Sequence, residues 1–246
     1  MVENAKVEVG GAGEKKAKPC IEIMHLVEDP VSGRRLGRHV EHDERSWAFP
    51  APMAAQYRSV RHTRRVPIFQ QGSVGSCTGQ AAIGCISTSP FKRKGTSAEA
   101  LTVYKRATQI DEIRGVYPPS DTGSTGLAVM KVLVERKLIK GYTHAFGLEQ
   151  ALRALMLRPG ITGIAWRSGL DKPNTRGVAQ YTGFVRGGHE VVIVGLDVEQ
   201  KLVWFANSWG RTWGYKGYFA MSFADYEKAL ADHGDATFPL ATSDPR

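Results

Sequence analysis

Cysteine is scarce in this chain. Among 246 residues there are three, Cys20, Cys77 and Cys85, and an odd number excludes a fully paired disulfide framework. They read as free thiols, which suits a reducing compartment or a fold that needs no covalent staples. Long hydrophobic runs are also missing, and nothing approaches the roughly 20 apolar residues of a membrane span. The stretch from Met1 to Lys18 is polar and charged, without the apolar core of a secretory signal. A soluble protein is expected, cytoplasmic by default, with association with a virion or release by lysis as the other routes. His25, His39 and His42 have no cysteine partners at metal-ligand spacing, so neither a metal nor another cofactor is expected. Lys and Arg outnumber Asp and Glu by 33 to 24. Their local clusters, at 61–65 and 92–94, carry no interleaved aromatic residues to stack on bases. Nucleic acid and membrane are therefore not the expected partners, and oligomeric state is left open.

Against this background one stretch stands out, Gln71-Gly72-Ser73-Val74-Gly75-Ser76-Cys77-Thr78. It sets an amide, small residues and a thiol in fixed order. The residues after Cys77 read as a helix with Ser76 at its N-cap, which puts the thiol in the first turn. There the unpaired backbone N–H groups and the helix dipole favour an anion, and only a thiolate is a good nucleophile. The helix must stop before Pro90. Gly79 and Gly84 each weaken it by about 1 kcal/mol relative to Ala, a cost that close packing of a buried central helix offsets. Cys85, two turns beyond Cys77, is too far along the axis for a disulfide and reads as core.

Two further blocks lie downstream. In Gly187-Gly188-His189-Glu190-Val191-Val192-Ile193-Val194-Gly195 a histidine opens a β-branched run, and Asn207-Ser208-Trp209-Gly210-Arg211-Thr212-Trp213-Gly214 follows. If 189–196 and 201–207 are antiparallel strands around a short turn, partners have numbers summing to about 396 or 397. His189 then faces Asn207 to within a residue, close enough for an amide to hold an imidazole. Glu190 points to the opposite face of the strand from His189 and is set aside.

The three blocks together resemble the papain-like cysteine peptidases, whose nucleophile segment reads Gln-Gly-x-Cys-Gly-Ser-Cys-Trp. Gln71, Gly72, Gly75, Ser76 and Cys77 match, whereas Val74 replaces a half-cystine and Thr78 a tryptophan. The departures bear on pocket and redox setting more than on chemistry. The resemblance implies a two-lobed α+β fold, a helical subdomain packed against a β-rich one with the active-site cleft between them. It implies hydrolysis of peptide bonds in a protein or peptide substrate, with Cys77 as thiolate nucleophile, its pKa lowered by His189. His189 is then the acid/base, Asn207 its orienting group, and Gln71 with the Cys77 N–H the oxyanion donors. Trp209 resembles the tryptophan that shields the His/Asn contact. By order along the chain, Gly123, Ser124, Ile164 and Gly188, with Trp209, are candidate substrate-binding residues. The chain is similar to short bacterial or bacteriophage members without a full propeptide. Two other readings stay open: a catalytically idle papain fold used for binding or virion assembly, and an amidase or acyltransferase acting on cell-wall peptides.

Taken in order, residues 1–45 have no sustained period and read as a flexible basic and polar tail that either inhibits or anchors. The peptidase domain is expected over 46–246, with a helical lobe over about 60–143 and a β-rich lobe over about 144–240. Helices are expected over 97–110, over 127–140 with Gly141 as its stop, and along the apolar face of Leu148, Ala151, Leu152, Leu155 and Met156. Strands are expected over 161–166 and 217–223. No internal repeat is visible.

Overall fold

The computed structural model describes residues 21–26, 28, 34–56 and 58–243. Residues 1–20, with Cys20, fall outside the described part. In chain order come β1 (Ile21–Met24), β2 (Arg38–Asp43), β3 (Val60–Arg61), α1 (Cys77–Ile86), α2 (Ser97–Ile110), β4 (Ser124–Thr125) and α3 (Gly126–Glu135). The second half holds β5 (Gly141–His144), α4 (Leu148–Leu155), β6 (Gly160–Arg167), β7 (Val185–Asp197), β8 (Leu202–Ala206), β9 (Tyr218–Ser222), α5 (Phe223–Ala231) and β10 (Asp235–Leu240).

The central helix α1 carries no charged residue, and all ten of its residues are buried. Such a segment has no solvent face and must be enclosed. It packs on α2, α3 and β7. The expected reason for Gly79 is borne out: a Cβ there would lie 2.3 Å from the Ala100 carbonyl oxygen and 2.9 Å from the Tyr104 Cβ. Gly79→Ala is therefore expected to lower unfolding stability by about 1–3 kcal/mol, overpacking outweighing the gain of about 1 kcal/mol in helix propensity. Urea unfolding of the two proteins measures the difference; an Ala variant as stable as the parent would refute the close packing.

Helix α2 occupies the expected 97–110 and is capped by Thr96, whose hydroxyl accepts the Glu99 N–H at 3.1 Å. Helix α3 is shorter than expected. It ends at Glu135, because Lys137 turns left-handed at φ 57° and the Leu138 N–H returns to the Leu133 carbonyl at 2.9 Å, a Schellman closure. Gly141 opens β5 instead of stopping a helix.

The main sheet runs β5-β10-β6-β7-β8-β9, with β3 added along β7. Neither α5 nor β10 was expected from the sequence. Alternation gives the sheet two apolar faces. Ile161, Val192, Val194 and Ala206 meet α1, α2 and α3. Ile164, Trp166, Val191, Ile193, Phe205 and Phe219 meet α4 and α5 on the other side. This is the expected α+β arrangement, a helical part packed on a β-rich part.

The β7–β8 register differs from expectation. Val192 pairs with Ala206 and Ile193 with Phe205, then an irregularity shifts the ladder so that Gly195 pairs with Trp204. One extra residue on β7 accounts for the shift, and extrapolating the ladder sets Asn207 two residues from direct opposition to His189. The second difference concerns the N-terminal stretch. Ile21–Met24 and Arg38–Asp43 form an antiparallel pair, and β2 runs parallel to β4 with Arg38 beside Ser124. Part of the segment expected to be a flexible tail is thus an ordered strand laid against the helical half.

Candidate active site

The thiol of Cys77 sits at the first position of α1. Ser76 occupies the N-cap position, but its hydroxyl caps no backbone N–H; it instead lies 3.4 Å from the Gln80 side-chain amide. With no side-chain cap, the first-turn N–H groups are left for an anion, and the Thr78 N–H bonds the Cys77 sulfur. A second N–H comes from Glu190, the residue after His189 on β7, so the sulfur bridges the helix tip and the histidine strand.

His189 is fully buried. Its Nε2 lies 2.7 Å from the Asn207 Oδ1, and its Nδ1 has no hydrogen-bond partner. The contact forms despite the shifted register because Asn207 lies just past β8 and reaches diagonally across. Asn207 is pinned by its own N–H to the Gly217 carbonyl at 3.0 Å. Trp209 stacks on the imidazole with ring centroids 4.7 Å apart, and Trp166 meets it edge-on at 4.9 Å. These indoles keep water from the His/Asn contact.

Gln71 is held from two sides. Its N–H donates to the Ser208 carbonyl at 2.9 Å, and the Ser208 hydroxyl donates to its Oε1 at 2.6 Å. The amide nitrogen is thereby aimed outward, where it donates to the Val74 carbonyl at 3.0 Å and to the Arg35 carbonyl at 3.2 Å.

Arg35 introduces an occupant that the sequence did not announce. Residues 34–38 lead into β2 across the site. The Arg35 carbonyl also accepts the Trp209 indole N–H at 3.2 Å. The Gly37 N–H donates to the Gly188 carbonyl at 3.0 Å, and its carbonyl accepts the Ser124 N–H at 2.9 Å. A Cβ on Gly123 would meet the Gly37 oxygen at 2.5 Å. Four of the five residues expected to touch a substrate backbone, Gly123, Ser124, Gly188 and Trp209, thus line the groove that this segment fills. Ile164 does not. It pairs with His189 across β6 and β7 and is fully buried in the core behind it.

The sequence profile of the papain family of cysteine proteases matches residues 47–234. The chain belongs to that family. No curated protein sequence matches it. Among solved structures it is similar to xylellain, a cysteine protease from Xylella fastidiosa, at 18% identity and TM-score 0.61, covering 89% of this chain and 96% of that one. It is also similar to procathepsin B S9 from Trypanosoma congolense, at 13% identity and TM-score 0.60 over 85% and 87% of the two chains. A third, digestive procathepsin L 3 of Tenebrio molitor larval midgut, gives 14% identity and TM-score 0.56 over 85% and 76%. The papain-family chain is a cysteine peptidase, and its substrates are peptides or proteins. Among the described residues no cluster of His, Cys, Asp and Glu could hold a metal, and no helix is long and apolar enough to cross a membrane.

The electrostatics of the papain-family site reflect its closure. Burial pushes the Cys77 thiol well above its usual range, the neighbouring Glu190 charge adds to this, and the two N–H bonds only partly oppose it. Burial likewise lowers His189 to about 4, against the pull of Asn207. In this closed form the pair is a neutral thiol and a neutral imidazole, not the thiolate expected from the helix dipole alone. Desolvation outweighs the dipole because no water reaches either group.

Glu190 is the residue that sequence reasoning missed. It does point away from the His189 face, but towards the helical lobe, where it is buried. Burial and the nearby Asp235 push its carboxyl up, and Arg38 partly counters them. The signal was a charged residue opening an otherwise apolar central strand.

Proposed function

We propose that the chain hydrolyses peptide bonds through a Cys77 thioester. Cys77 passes its thiol proton to His189, the sulfur bonds to the substrate carbonyl carbon, and His189 gives that proton to the amine nitrogen as the C–N bond breaks. Water, losing a proton to His189, then attacks the thioester, and the C–S bond breaks to return the thiol. Asn207 holds the imidazole through Nε2, leaving Nδ1 for the thiol. The Gln71 amide and the Cys77 N–H receive the tetrahedral oxyanion. The observation carrying this reading is the 2.7 Å His189–Asn207 contact with Nδ1 unpartnered, beside a sulfur that the next residue's N–H reaches.

In this reading residues 34–38 hold the described form shut, and the Arg35 carbonyl takes the amide donor that the oxyanion needs. The complete burial of Cys77 means that the thiol reacts only after this segment moves, and a direct test separates this mechanism from a papain fold retained for binding. A thiol-reactive epoxide applied across pH 4 to 9, beside a fluorogenic peptide panel, supplies it. Labelling at Cys77 and peptide turnover are expected once the segment is displaced, with both lost in Cys77→Ala and impaired in His189→Ala. A displaced segment with no labelling below pH 8 and no turnover would leave the binding reading.

A further inference from the structure

One carboxylate ties the turn that carries the nucleophile to the loop that borders the cleft. Asp121 lies on the loop before β4 with its side chain mostly buried. Its Oδ2 accepts the Gly75 N–H at 2.8 Å, and its Oδ1 accepts the Tyr104 hydroxyl at 2.6 Å. Tyr104 projects from α2 and is fully buried. Burial first, and then the bond to Asp121, push its phenol up, so it stays a protonated donor. The Tyr104 oxygen in turn accepts the Gly123 N–H at 3.0 Å. The carboxylate is thus held from α2 while it holds Gly75.

The peptide between Val74 and Gly75 is the point of leverage. Its N–H goes to Asp121, and its carbonyl accepts the Gln71 amide at 3.0 Å. Of the two hydrogens on the Gln71 nitrogen, one therefore goes to Val74 and the other to the Arg35 carbonyl. When residues 34–38 leave, the first bond remains and the second hydrogen is free for the oxyanion. Little else fixes this peptide. Gly75 has no Cβ to resist its turning, and Val74 stands where the family carries a half-cystine, with no disulfide among the described residues. A bond from an N–H to a carboxylate is about twice as strong as one between neutral groups, so Asp121 is its main restraint.

We propose that Asp121 is a positioning residue for the peptidase reaction, holding the Val74–Gly75 peptide so that its carbonyl aims the Gln71 amide at the oxyanion. The proposal rests on the peptidase reading and adds to it a carboxylate that touches neither substrate nor thiol. Asp121 also meets the segment in the cleft, since the Arg35 Nη2 lies 3.1 Å from its Oδ2. That contact belongs to the closed form alone and goes when the segment departs, whereas the bonds to Gly75 and Tyr104 stay. The two roles therefore separate in an opened chain.

The test uses the full chain opened by Gly37→Val, which cannot dock because its Cβ would lie 2.2 Å from the Gly75 carbonyl oxygen. Adding Asp121→Ala is expected to lower kcat on a fluorogenic peptide by about tenfold with KM little changed. The loss is expected to vanish when Gln71 is already Ala, because the carboxylate acts through that amide. Asp121→Asn keeps an oxygen for the Gly75 N–H and can donate to the Tyr104 oxygen, so it should stay within about threefold of the opened parent. Asp121→Ser, too short to reach Gly75, takes the place of the Ala variant if that one does not fold, with the same loss expected. An unchanged kcat in the opened chain, with faster Cys77 alkylation in the closed one, would make Asp121 only a clasp for Arg35 and overturn the proposal. So would a loss that Gln71→Ala leaves undiminished. An opened chain alkylated at Cys77 that cleaves no peptide would sink the peptidase reading instead. The tie is then decided by hydrogen exchange at the Gly75 amide, expected to quicken by about tenfold or more in Asp121→Ala, and unchanged exchange would refute it.

Discussion

Gly37→Val in the full-length chain is expected to raise the rate of Cys77 alkylation at pH 6 by about 10²-fold. Gly37 has φ +131°, a left-handed value that a β-branched residue does not adopt. Its Cβ would also lie 2.2 Å from the Gly75 carbonyl oxygen, a backbone atom with no freedom to retreat. Strain and overlap together cost about 3 kcal/mol, which corresponds to about 10² in the population of the opened cleft. The clash falls on the docked segment, whose Gly37 is tied to Gly188 and Ser124, while the domain beneath keeps its own core. Opening also changes the pH profile. In the closed form burial holds the thiol's pKa high, so its reactivity is confined to alkaline solution and falls as pH drops. Readmitting water removes the largest cause of that shift and lets His189 climb back from about 4, so reactivity extends to acid pH. Mass spectrometry of iodoacetamide-treated protein at pH 6 and pH 9 reads both effects. Equal rates in parent and variant at both pH values would mean that residues 34–38 do not guard the thiol.

That guarding segment marks where sequence reasoning stops. The site was legible because the chemistry requires particular residue types in local order, and α1, β7 and the turn after β8 each carry their own block. The apolar face of α4 was legible for a similar reason, since its burial follows from the chain's own periodicity. The β7–β8 register was not, because a single extra residue near Ile193–Gly195 leaves no compositional trace. Nor was the order in β2. Arg38, His39 and Glu41 look like a solvated run until Arg38 is seen to be buried and ion-paired to Asp235, 197 residues further along the chain. Glu190 shows the same limit from the other side. Alternation told correctly which face it occupies, but not that a helical lobe covers that face.

The second large effect concerns the oxyanion donor. Gln71→Ala in the opened Gly37→Val background is expected to lower kcat by about 10²–10³, with KM little changed. A donor aimed at the tetrahedral oxygen strengthens as charge develops there, so its loss falls on the transition state and not on ground-state binding. The geometry makes a companion prediction. The Ser208 hydroxyl, 2.6 Å from the Gln71 Oε1, is the contact that tells the amide which way to face. Ser208→Ala leaves the amide in place but free to rotate, and should cost about tenfold in kcat, an effect that vanishes when Gln71 is already Ala. Residues acting through one another give such non-additive pairs, whereas independent contributions multiply. Steady-state kinetics on a fluorogenic peptide for the two single changes and their combination supply the cycle. A Ser208→Ala loss that persists in the Gln71→Ala chain would show that the serine acts elsewhere, and a Gln71→Ala chain with unchanged kcat would move the oxyanion site away from this amide.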